Sequence, residues 1–480
     1  MGYLTPVRTA LWGAPAETKE ERKLVVKLDV FILTSACLQY WVNYLDRANL
    51  NNAYVSGMRE DLNMVGNDIT IINTIFWCGY FLGQIPNNLA MQYFRPRIWM
   101  PFCMLAWVST GFVHNKESIM AIRFVQALFE GSTFVGVHYI LGCWYKEEEL
   151  GKRTGIFTSS GLAGTMFSGF LQGGIYASLN GKSGLAGWRW MFVVDFLITL
   201  PLAIYVYAVF PDTPDNTQAF YLSEDERKLA ITRLGRRFGA EHEHGDVGKS
   251  IFKRLFTSWE IYGFCFIWTM GSNCEMFSTN AIMNLYLSSL GTYSVELVNY
   301  MPTGVSGFGI VATLILGWYS DFTKKSWHVG ILVSCCAVVT GAIMLNPPSL
   351  AGKLFALYLN GISWANQTVY FAWANRLTVE DAAKRSIILA AMNTSAVIFY
   401  SFWAISFYAA GQGPMWKEGS IAMMVSGICM AGGVMVVRYL EQRDAKRRAS
   451  AVIEATGSET SEKPDSKFEK GAAKVASNEV

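Results

Sequence analysis

The sequence predicts an all-α membrane protein with about twelve transmembrane helices in two six-helix halves. Of its 480 residues, 52% are hydrophobic and 16% are charged, whereas soluble domains are roughly 25% charged. Apolar stretches of about 17 to 25 residues, long enough to span a bilayer, recur along the chain. One long polar segment, residues 211–258, separates two sets of about six such stretches.

The chain divides into five predicted parts. A charged tail, 1–27, precedes the first half, 28–210. The central loop, 211–258, leads to the second half, 259–440, and to a Ser-, Ala-, Glu- and Lys-rich tail, 441–480, which is predicted to be disordered. Each apolar span is expected to be helical because lipid offers no partner to backbone polar groups. The predicted spans are 28–46, 69–91, 97–113, 118–143, 154–177, 188–210, 259–289, 298–319, 327–346, 352–374, 386–409 and 419–440.

The distribution of positive charge predicts the orientation in the membrane. With the N-terminus inside, about 32 of the 40 Lys and Arg residues fall in cytoplasmic segments and about six fall outside. Both termini and the central loop are therefore expected to be cytoplasmic. Within that loop, Ser223 and Glu226 have the spacing of a capping box, which predicts a short amphipathic helix on the inner surface.

Four charged residues within the apolar spans are the main functional signal. Asp46 and Arg47 lie at the end of the first span, and Arg123 and Glu130 lie in the fourth. A charge at bilayer depth costs a few kcal/mol, so such residues usually pair or line a cavity. Arg123 and Glu130 stand about 10 Å apart along one helix, and Asp46 and Arg47 point about 100° apart. We therefore expect pairs between helices, either Asp46 with Arg123 or Arg47 with Glu130.

A short pattern occurs at equivalent places in the two halves and predicts an internal repeat. A glycine is followed four residues later by a polar residue and then by basic residues. The first copy joins spans two and three, and the second joins spans eight and nine. The residues are Gly83, Asn87 and Arg95 in the first copy and Gly317, Asp321, Lys324 and Lys325 in the second.

These features resemble the major facilitator superfamily, in which the repeated pattern marks the inner gate. The string LDRANLNNA, from Leu45 to Ala53, and the Arg123–Glu130 motif resemble its anion:cation symporter branch. The strings NLNNAYVSGMREDLNM, FEGSTFVGVH and ILGCWYKEEEL resemble fungal pantothenate and allantoate permeases. The sequence departs from the family pattern at Asn87, where aspartate is usual, and this bears on how the inner gate closes in the first half.

The resemblance implies a proton-coupled symporter that imports a small organic anion across the plasma membrane, with pantothenate as the first candidate. Biotin, nicotinate, allantoate and a sensor without transport remain alternatives. Arg47, Arg123 or both are implied to hold the substrate carboxylate; the residues alone leave open that the arginines only neutralise Asp46 and Glu130. Either of these acids is a candidate for proton coupling.

Other polar residues in the spans are candidates to complete the site, although hydrogen bonding between helices is an equal alternative for each. They are Tyr44, Tyr80, Asn284, Asn366 and Gln367. Asp195 is expected near Arg189, and Glu275 and His138 are the next candidates for coupling. No motif indicates an enzyme, a metal, a cofactor or nucleic-acid binding, and we expect a monomer whose partners are the substrate, protons and lipid.

Overall fold

The computed structural model describes residues 18–107, 115–234, 257–278, 280–347, 349–378 and 382–459. These residues form helices and loops, and none of them lies in a strand. The helices of the first half and of the central loop are α1 (Lys19–Leu28), α2 (Thr34–Ala53), α3 (Asp68–Tyr93), α4 (Pro96–Trp107), α5 (Lys116–Trp144), α6 (Glu147–Leu179), α7 (Gly187–Val209) and α8 (Glu224–Arg233).

The second half is helical in the same way, with two of its predicted spans divided. The helices are α9 (Trp259–Asn273), α10 (Asn280–Leu290), α11 (Thr303–Thr323), α12 (Ser326–Leu345), α13 (Leu350–Asn360), α14 (Ala365–Leu377), α15 (Ala382–Phe407) and α16 (Lys417–Glu459). By length and composition, six helices of the described chain are apolar enough to cross a membrane: Lys19–Asp61, Gly187–Val209, Val295–Thr323, Ser326–Leu345, Ile387–Gln412 and Lys417–Ser450.

The first helix is longer than the sequence predicts, at both ends. It starts at Lys19, inside the segment predicted as a tail, where the side chain of Thr18 accepts a hydrogen bond from the backbone of Glu21. Leu24 and Leu28 are buried, so one face of this charged segment packs like a span. A π-helical turn, Asp29–Leu33, joins α1 to α2 without a break.

Spans seven and ten are each divided by an irregular turn, which corrects the prediction of continuous helices. Span seven contains a 3-10 turn at Met276–Ser278, between α9 and α10. Span ten contains another at Gly361–Trp364, between α13 and α14. A Cβ at Gly361 would lie 2.7 Å from the carbonyl oxygen of Val305, so this turn packs directly on the backbone of α11. Both turns border the central cavity.

The C-terminal tail is helical where the structure describes it. Helix α16 continues to Glu459, so the prediction of disorder from 441 is wrong for residues 441–459. These residues are rich in Ala, Arg and Glu, which are strong helix formers, and no proline interrupts them. The described residues up to Val434 belong to one compact unit, and the helix from Met435 onward belongs to a second.

Close packing of α2 on α6 positions the charged end of the first span. A Cβ at Gly164 would lie 2.1 Å from the carbonyl oxygen of Trp41, and a Cβ at Gly161 would lie 2.7 Å from the ring of Tyr40. Only glycine allows the two backbones to approach this closely. The rotation of α2 is thereby held, and with it the direction in which Arg47 points.

The short helix predicted in the central loop is present as α8, with the predicted capping box. The Ser223 hydroxyl accepts from the Glu226 backbone at 3.2 Å, and the Glu226 carboxylate accepts from the Ser223 backbone at 2.9 Å. Lys27 of α1 donates to Glu226 at 2.6 Å, so α8 is held against the first helix. Burial alone would raise the pKa of Glu226, but the hydrogen bonds from Lys27 and Ser223 lower it. Residues 235–256 of the central loop lie outside the described residues.

Candidate functional site

A cavity of about 250 Å³ lies between the two halves, and both divided spans contribute to its wall. Its size is near the lower end of small-molecule sites, which are roughly 300–1,000 Å³. Aromatic side chains and charged or polar side chains contribute to the wall in similar numbers, and aliphatic side chains complete it. Arg47 and Arg123 from the first half are its cations, and Glu275 from the second half is its acid among the described residues. The cavity therefore fits a small molecule that carries polar groups as well as apolar surface.

Arg47 forms the ion pair that was predicted between the first and fourth spans. Its Nε donates to Oε2 of Glu130 at 2.7 Å, which confirms the expected Arg47–Glu130 pair. The Glu130 side chain is completely buried, whereas 15% of the Arg47 side chain remains exposed, on the cavity side. The guanidinium can therefore reach a bound molecule while Glu130 stays behind it.

Four aromatic rings surround the Arg47 guanidinium. Its Cζ lies 4.8 Å from the ring centre of Tyr80, 5.0 Å from Tyr44, and 5.6 Å from both Phe76 and Trp77. Rings at these distances attract a cation through their π faces. Tyr44 and Tyr80, which were predicted as sources of hydroxyl groups, also line the cavity. Their first role in this structure is to hold Arg47 in place.

Gln126, which the sequence analysis missed, connects the four predicted charges. Its Nε2 donates to Oδ2 of Asp46 and to Oε1 of Glu130, both at 2.7 Å. Its Oε1 accepts from Nη1 of Arg123 at 3.1 Å. The expected alternative pair, Asp46 with Arg123, is therefore bridged by an amide. Gln126 lies three residues after Arg123 and four before Glu130, so the helical spacing was the available signal.

Arg123 is buried more deeply than Arg47. Only 1% of it is exposed, although it borders the cavity. Nη2 donates to the carbonyl oxygen of Arg47 at 3.4 Å, and Cζ lies 4.8 Å from the ring centre of Phe76. These contacts make Arg123 a support for the first span and leave Arg47 as the better placed of the two predicted carboxylate ligands.

Asp195 of α7 is a third acid at the site. Its carboxyl group interacts electrostatically with those of Asp46 and Glu130, and it is 2% exposed. It was expected near Arg189, but the Arg189 guanidinium lies over the ring of Trp188 at 4.3 Å. Three buried acids thus face two buried arginines in the first half.

Three predicted amide ligands separate into two groups. Gln367 lines the cavity, whereas Asn284 and Asn366 do not. Asn284 donates to the side chain of Asn52 at 3.0 Å, across the two halves. Asn366 lies 3.6 Å from the sulfur of Met430. Asn284 and Asn366 therefore make contacts between helices in this structure, as the alternative prediction for these residues stated.

In the first copy of the predicted gate pattern, Asn87 joins two helices. Its Nδ2 donates to the carbonyl oxygens of Gly83 at 2.7 Å and of Leu128, on α5, at 2.5 Å. An ionised aspartate has no proton to donate to these carbonyls, so asparagine suits this contact. A Cβ at Gly83 would lie 2.2 Å from the Leu128 oxygen, so glycine is needed there. Arg95 is exposed.

The second copy places an acid among basic residues of both halves. Asp321 interacts electrostatically with Lys324, Arg376 and, across the halves, Lys152 of α6. Lys324 ends α11 in a left-handed conformation, with φ of 57°. Lys325 is exposed, and Gly317 faces Thr368 of α14, where a Cβ would lie 3.4 Å from the methyl carbon. The cross-half contact at Asp321 is consistent with the predicted gate, whose function stays a prediction.

The sequence model of the Major Facilitator Superfamily matches residues 36–404. The chain belongs to this superfamily. Among solved structures, the proton:xylose symporter XylE matches with a TM-score of 0.62 at 13% identity, covering 84% of this chain and 95% of that one. The bacterial Spinster homologue in its inward-facing, occupied conformation matches with a TM-score of 0.55 at 16% identity. The predicted all-α major facilitator fold, and the prediction of a multi-pass membrane transporter, are confirmed.

Curated relatives share much more sequence than the solved structures do. The pantothenate transporter FEN2 of Saccharomyces cerevisiae is 40% identical over 438 residues, which cover 88% of this chain and 85% of the relative. The pantothenate transporter liz1 of Schizosaccharomyces pombe is 38% identical over 440 residues, covering 90% and 85%. The vitamin H transporter of S. cerevisiae is 28% identical and covers 90% of this chain and 75% of the relative. The predicted resemblance to fungal vitamin permeases is confirmed.

Proposed function

We propose that this chain is a proton-coupled symporter that imports pantothenate across the plasma membrane. Relatives at 38 and 40% identity over most of the chain are pantothenate transporters, and this likeness supports the choice of substrate. The single structural observation that carries the mechanism is the Arg47–Glu130 ion pair, whose cation borders the cavity while its acid is buried behind it.

The substrate carboxylate and Glu130 compete for one guanidinium. Nε of Arg47 already donates to Glu130 in this structure. Protonating Glu130 removes the charge that holds Arg47, so the guanidinium is free to grip the substrate carboxylate with two parallel hydrogen bonds. Binding of the anion and binding of the proton therefore support each other. Release of either one on the other side of the membrane restores the ion pair.

The neighbouring acids extend the same proton site. Asp46 and Asp195 interact electrostatically, and Gln126 joins Asp46 to Glu130. Buried carboxylates in contact repel each other when both are ionised, so a proton on one of them stabilises the group. We therefore assign the coupling proton to the cluster of Asp46, Glu130 and Asp195 and not to one acid alone.

The uptake experiment uses a strain without its own carriers and labelled pantothenate, with biotin, nicotinate and allantoate as competitors. We expect pantothenate to enter faster in acid and to accumulate against its gradient. If another acid were taken up in preference to pantothenate, that acid would be assigned as the substrate. A carrier that reaches the surface and moves none of them would favour the sensor.

Replacing Arg47 with lysine tests the carboxylate ligand. Arg47→Lys keeps the charge and loses the planar fork, so we expect at least a tenfold loss of uptake at normal surface expression. Arg59→Lys, at an exposed arginine, is the matched control and should transport normally. Equal uptake by the two variants would contradict the assignment of Arg47.

The orientation rests on the distribution of Lys and Arg, which supports cytoplasmic termini. Tags at the N-terminus, in residues 240–248 and at the C-terminus should be reached only after the membrane is permeabilised. Labelling of the tagged 240–248 segment in intact cells would reverse the orientation. We further propose that the carrier works as a monomer in the plasma-membrane lipid.

A further inference from the structure

Glu275 is a buried acid of the cavity wall that the mechanism above does not use. It lies in the irregular turn between α9 and α10, on the second half of the carrier. Only 8% of the residue is exposed, and its Oε1 is buried without a hydrogen-bond partner. Leaving a buried carboxyl group unsatisfied is costly, so an acid in such a place usually serves a ligand.

The backbone around Glu275 is held firmly although its side chain is not. The amide of Ser278 donates to the Glu275 carbonyl at 2.9 Å, and the Ser278 hydroxyl donates to the same oxygen at 2.6 Å. Asn360, at the end of α13, donates to the carbonyl of Cys274 at 3.0 Å. The turn is therefore fastened to the neighbouring divided span, and the carboxyl group is presented to the cavity from a rigid support.

The groups around the Glu275 carboxyl do not neutralise it. Its electrostatic neighbours include the phenols of Tyr44 and Tyr400, and the nearby wall carries Ser272 and Ser278. No ion pair to Glu275 is present among the described residues. The cations of the cavity, Arg47 and Arg123, belong to the first half, so the cavity has a positive wall and an acidic wall.

We infer that Glu275 accepts hydrogen bonds from the hydroxyl groups of the substrate, at the end opposite its carboxylate. The inference rests on the proposed function and extends it to specificity. A carboxylate held by Arg47 leaves the rest of the molecule pointing across the cavity, toward the Glu275 carboxyl group. A hydroxylated end meets an acceptor with two oxygens, whereas an apolar end leaves that acceptor buried and unsatisfied.

Pantothenate fits a cavity with an arginine on one side and a hydrogen-bonding carboxyl group on the other. It has one carboxylate on its β-alanine part and two hydroxyl groups on the acyl part at the other end. The predicted substrate class is therefore a monocarboxylate with hydroxyl donors at its far end. Biotin and nicotinate are monocarboxylates whose far ends have no hydroxyl group, and they are expected to bind less well.

The test measures how well two unlabelled compounds inhibit the uptake of labelled pantothenate. One is pantothenate itself, and the other is its analogue in which both hydroxyl groups are replaced by hydrogen. In the unmodified carrier we expect pantothenate to compete roughly tenfold to a hundredfold better, because the analogue leaves a buried acceptor without a hydrogen-bond donor. Glu275→Ala should reduce this ratio to near one. Glu275→Gln, which keeps size and one acceptor, should give an intermediate ratio and guards against misfolding of the alanine variant.

Arg47→Lys is the matched comparison because it acts on the carboxylate that both competitors share. This substitution should weaken competition by both compounds and leave the ratio of their potencies unchanged. Equal competition by the two compounds in the unmodified carrier would overturn the inference, even if no variant reached the surface. The inference would also be overturned if Glu275→Ala kept the ratio of the unmodified carrier and lost the pH dependence of uptake. That result would make Glu275 a proton site. A carrier that takes up no pantothenate would overturn the proposed function and the hydroxyl assignment together.

Discussion

Replacing Gln126 with leucine tests whether one amide sets the pH range of transport. The amide donates to Asp46 and to Glu130, each at 2.7 Å, and Gln126 is 1% exposed. Hydrogen bonds to charged groups contribute about 1.5–3 kcal/mol each. Since both bonds favour the ionised acids, their loss favours the protonated ones. At about 1.4 kcal/mol per pH unit, losing one such bond should extend uptake upward by roughly one to two pH units.

The assay is uptake per surface carrier from about pH 4.5 to 8.5, a window wide enough for a shift of this size. The matched control is Gln172→Leu on α6, because Gln172 is also buried and neither atom of its amide has a hydrogen-bond partner in the structure. We expect this control to keep the pH profile of the unmodified carrier. The reasoning would be refuted if the pH profile of Gln126→Leu coincided with that of the unmodified carrier. It would also be refuted if the pH profile of Gln172→Leu moved by the same amount as that of Gln126→Leu.

Three further predictions address the proton, the packing and the cytoplasmic helix. Glu130→Gln should abolish accumulation and flatten the pH dependence while exchange of labelled for unlabelled substrate continues; steep pH dependence in this variant would move the coupling site elsewhere. Gly164→Ala, whose Cβ would meet a backbone oxygen at 2.1 Å, should lower the stability of the purified carrier by about 1–3 kcal/mol, whereas Gly174→Ala, with open space around it, should not. The folded pKa of Glu226 is lowered, so its contribution to stability is full above the usual pKa of a glutamate and is lost as the pH falls through the lowered value. Hydrogen exchange of α8 should therefore accelerate in acid, below the usual range of a glutamate, and Lys27→Met should remove much of that dependence.

Much of the architecture follows from the sequence because the bilayer imposes it. A span has to be apolar, about 20 residues long and helical, so hydropathy locates it without knowledge of its neighbours. A charge inside a span is costly, so Asp46, Arg47, Arg123 and Glu130 stand out from their apolar surroundings in the sequence alone. Pairing between the first and fourth spans also follows, because helical geometry prevents either motif from pairing within itself. The sequence left open whether Arg47 meets Glu130 or Arg123 meets Asp46.

Local sequence patterns predicted the capped helix in the central loop correctly. They predicted the structure of the two chain ends less well. The capping box of Ser223 and Glu226 is a contact between residues three apart, so its signal lies within one short string. The predicted tails were judged by charge and composition. The segments 19–28 and 441–459 are helical because they continue neighbouring spans and contain good helix formers.

The tertiary structure decided which polar side chains meet in the site. Gln126 is an ordinary polar residue in the sequence, and Asp195 is visible there as a charge within a span but not with its true neighbours. The role of each depends on the rotation of α5 and α7 about their axes. That rotation is set by contacts far apart in the chain, such as the approach of α2 to α6 at Gly164. The turns that divide spans seven and ten, and so present Glu275 to the cavity, depend on neighbouring helices in the same way. Hydropathy measures the preference of a segment for lipid and carries no information about which face of a helix meets which neighbour.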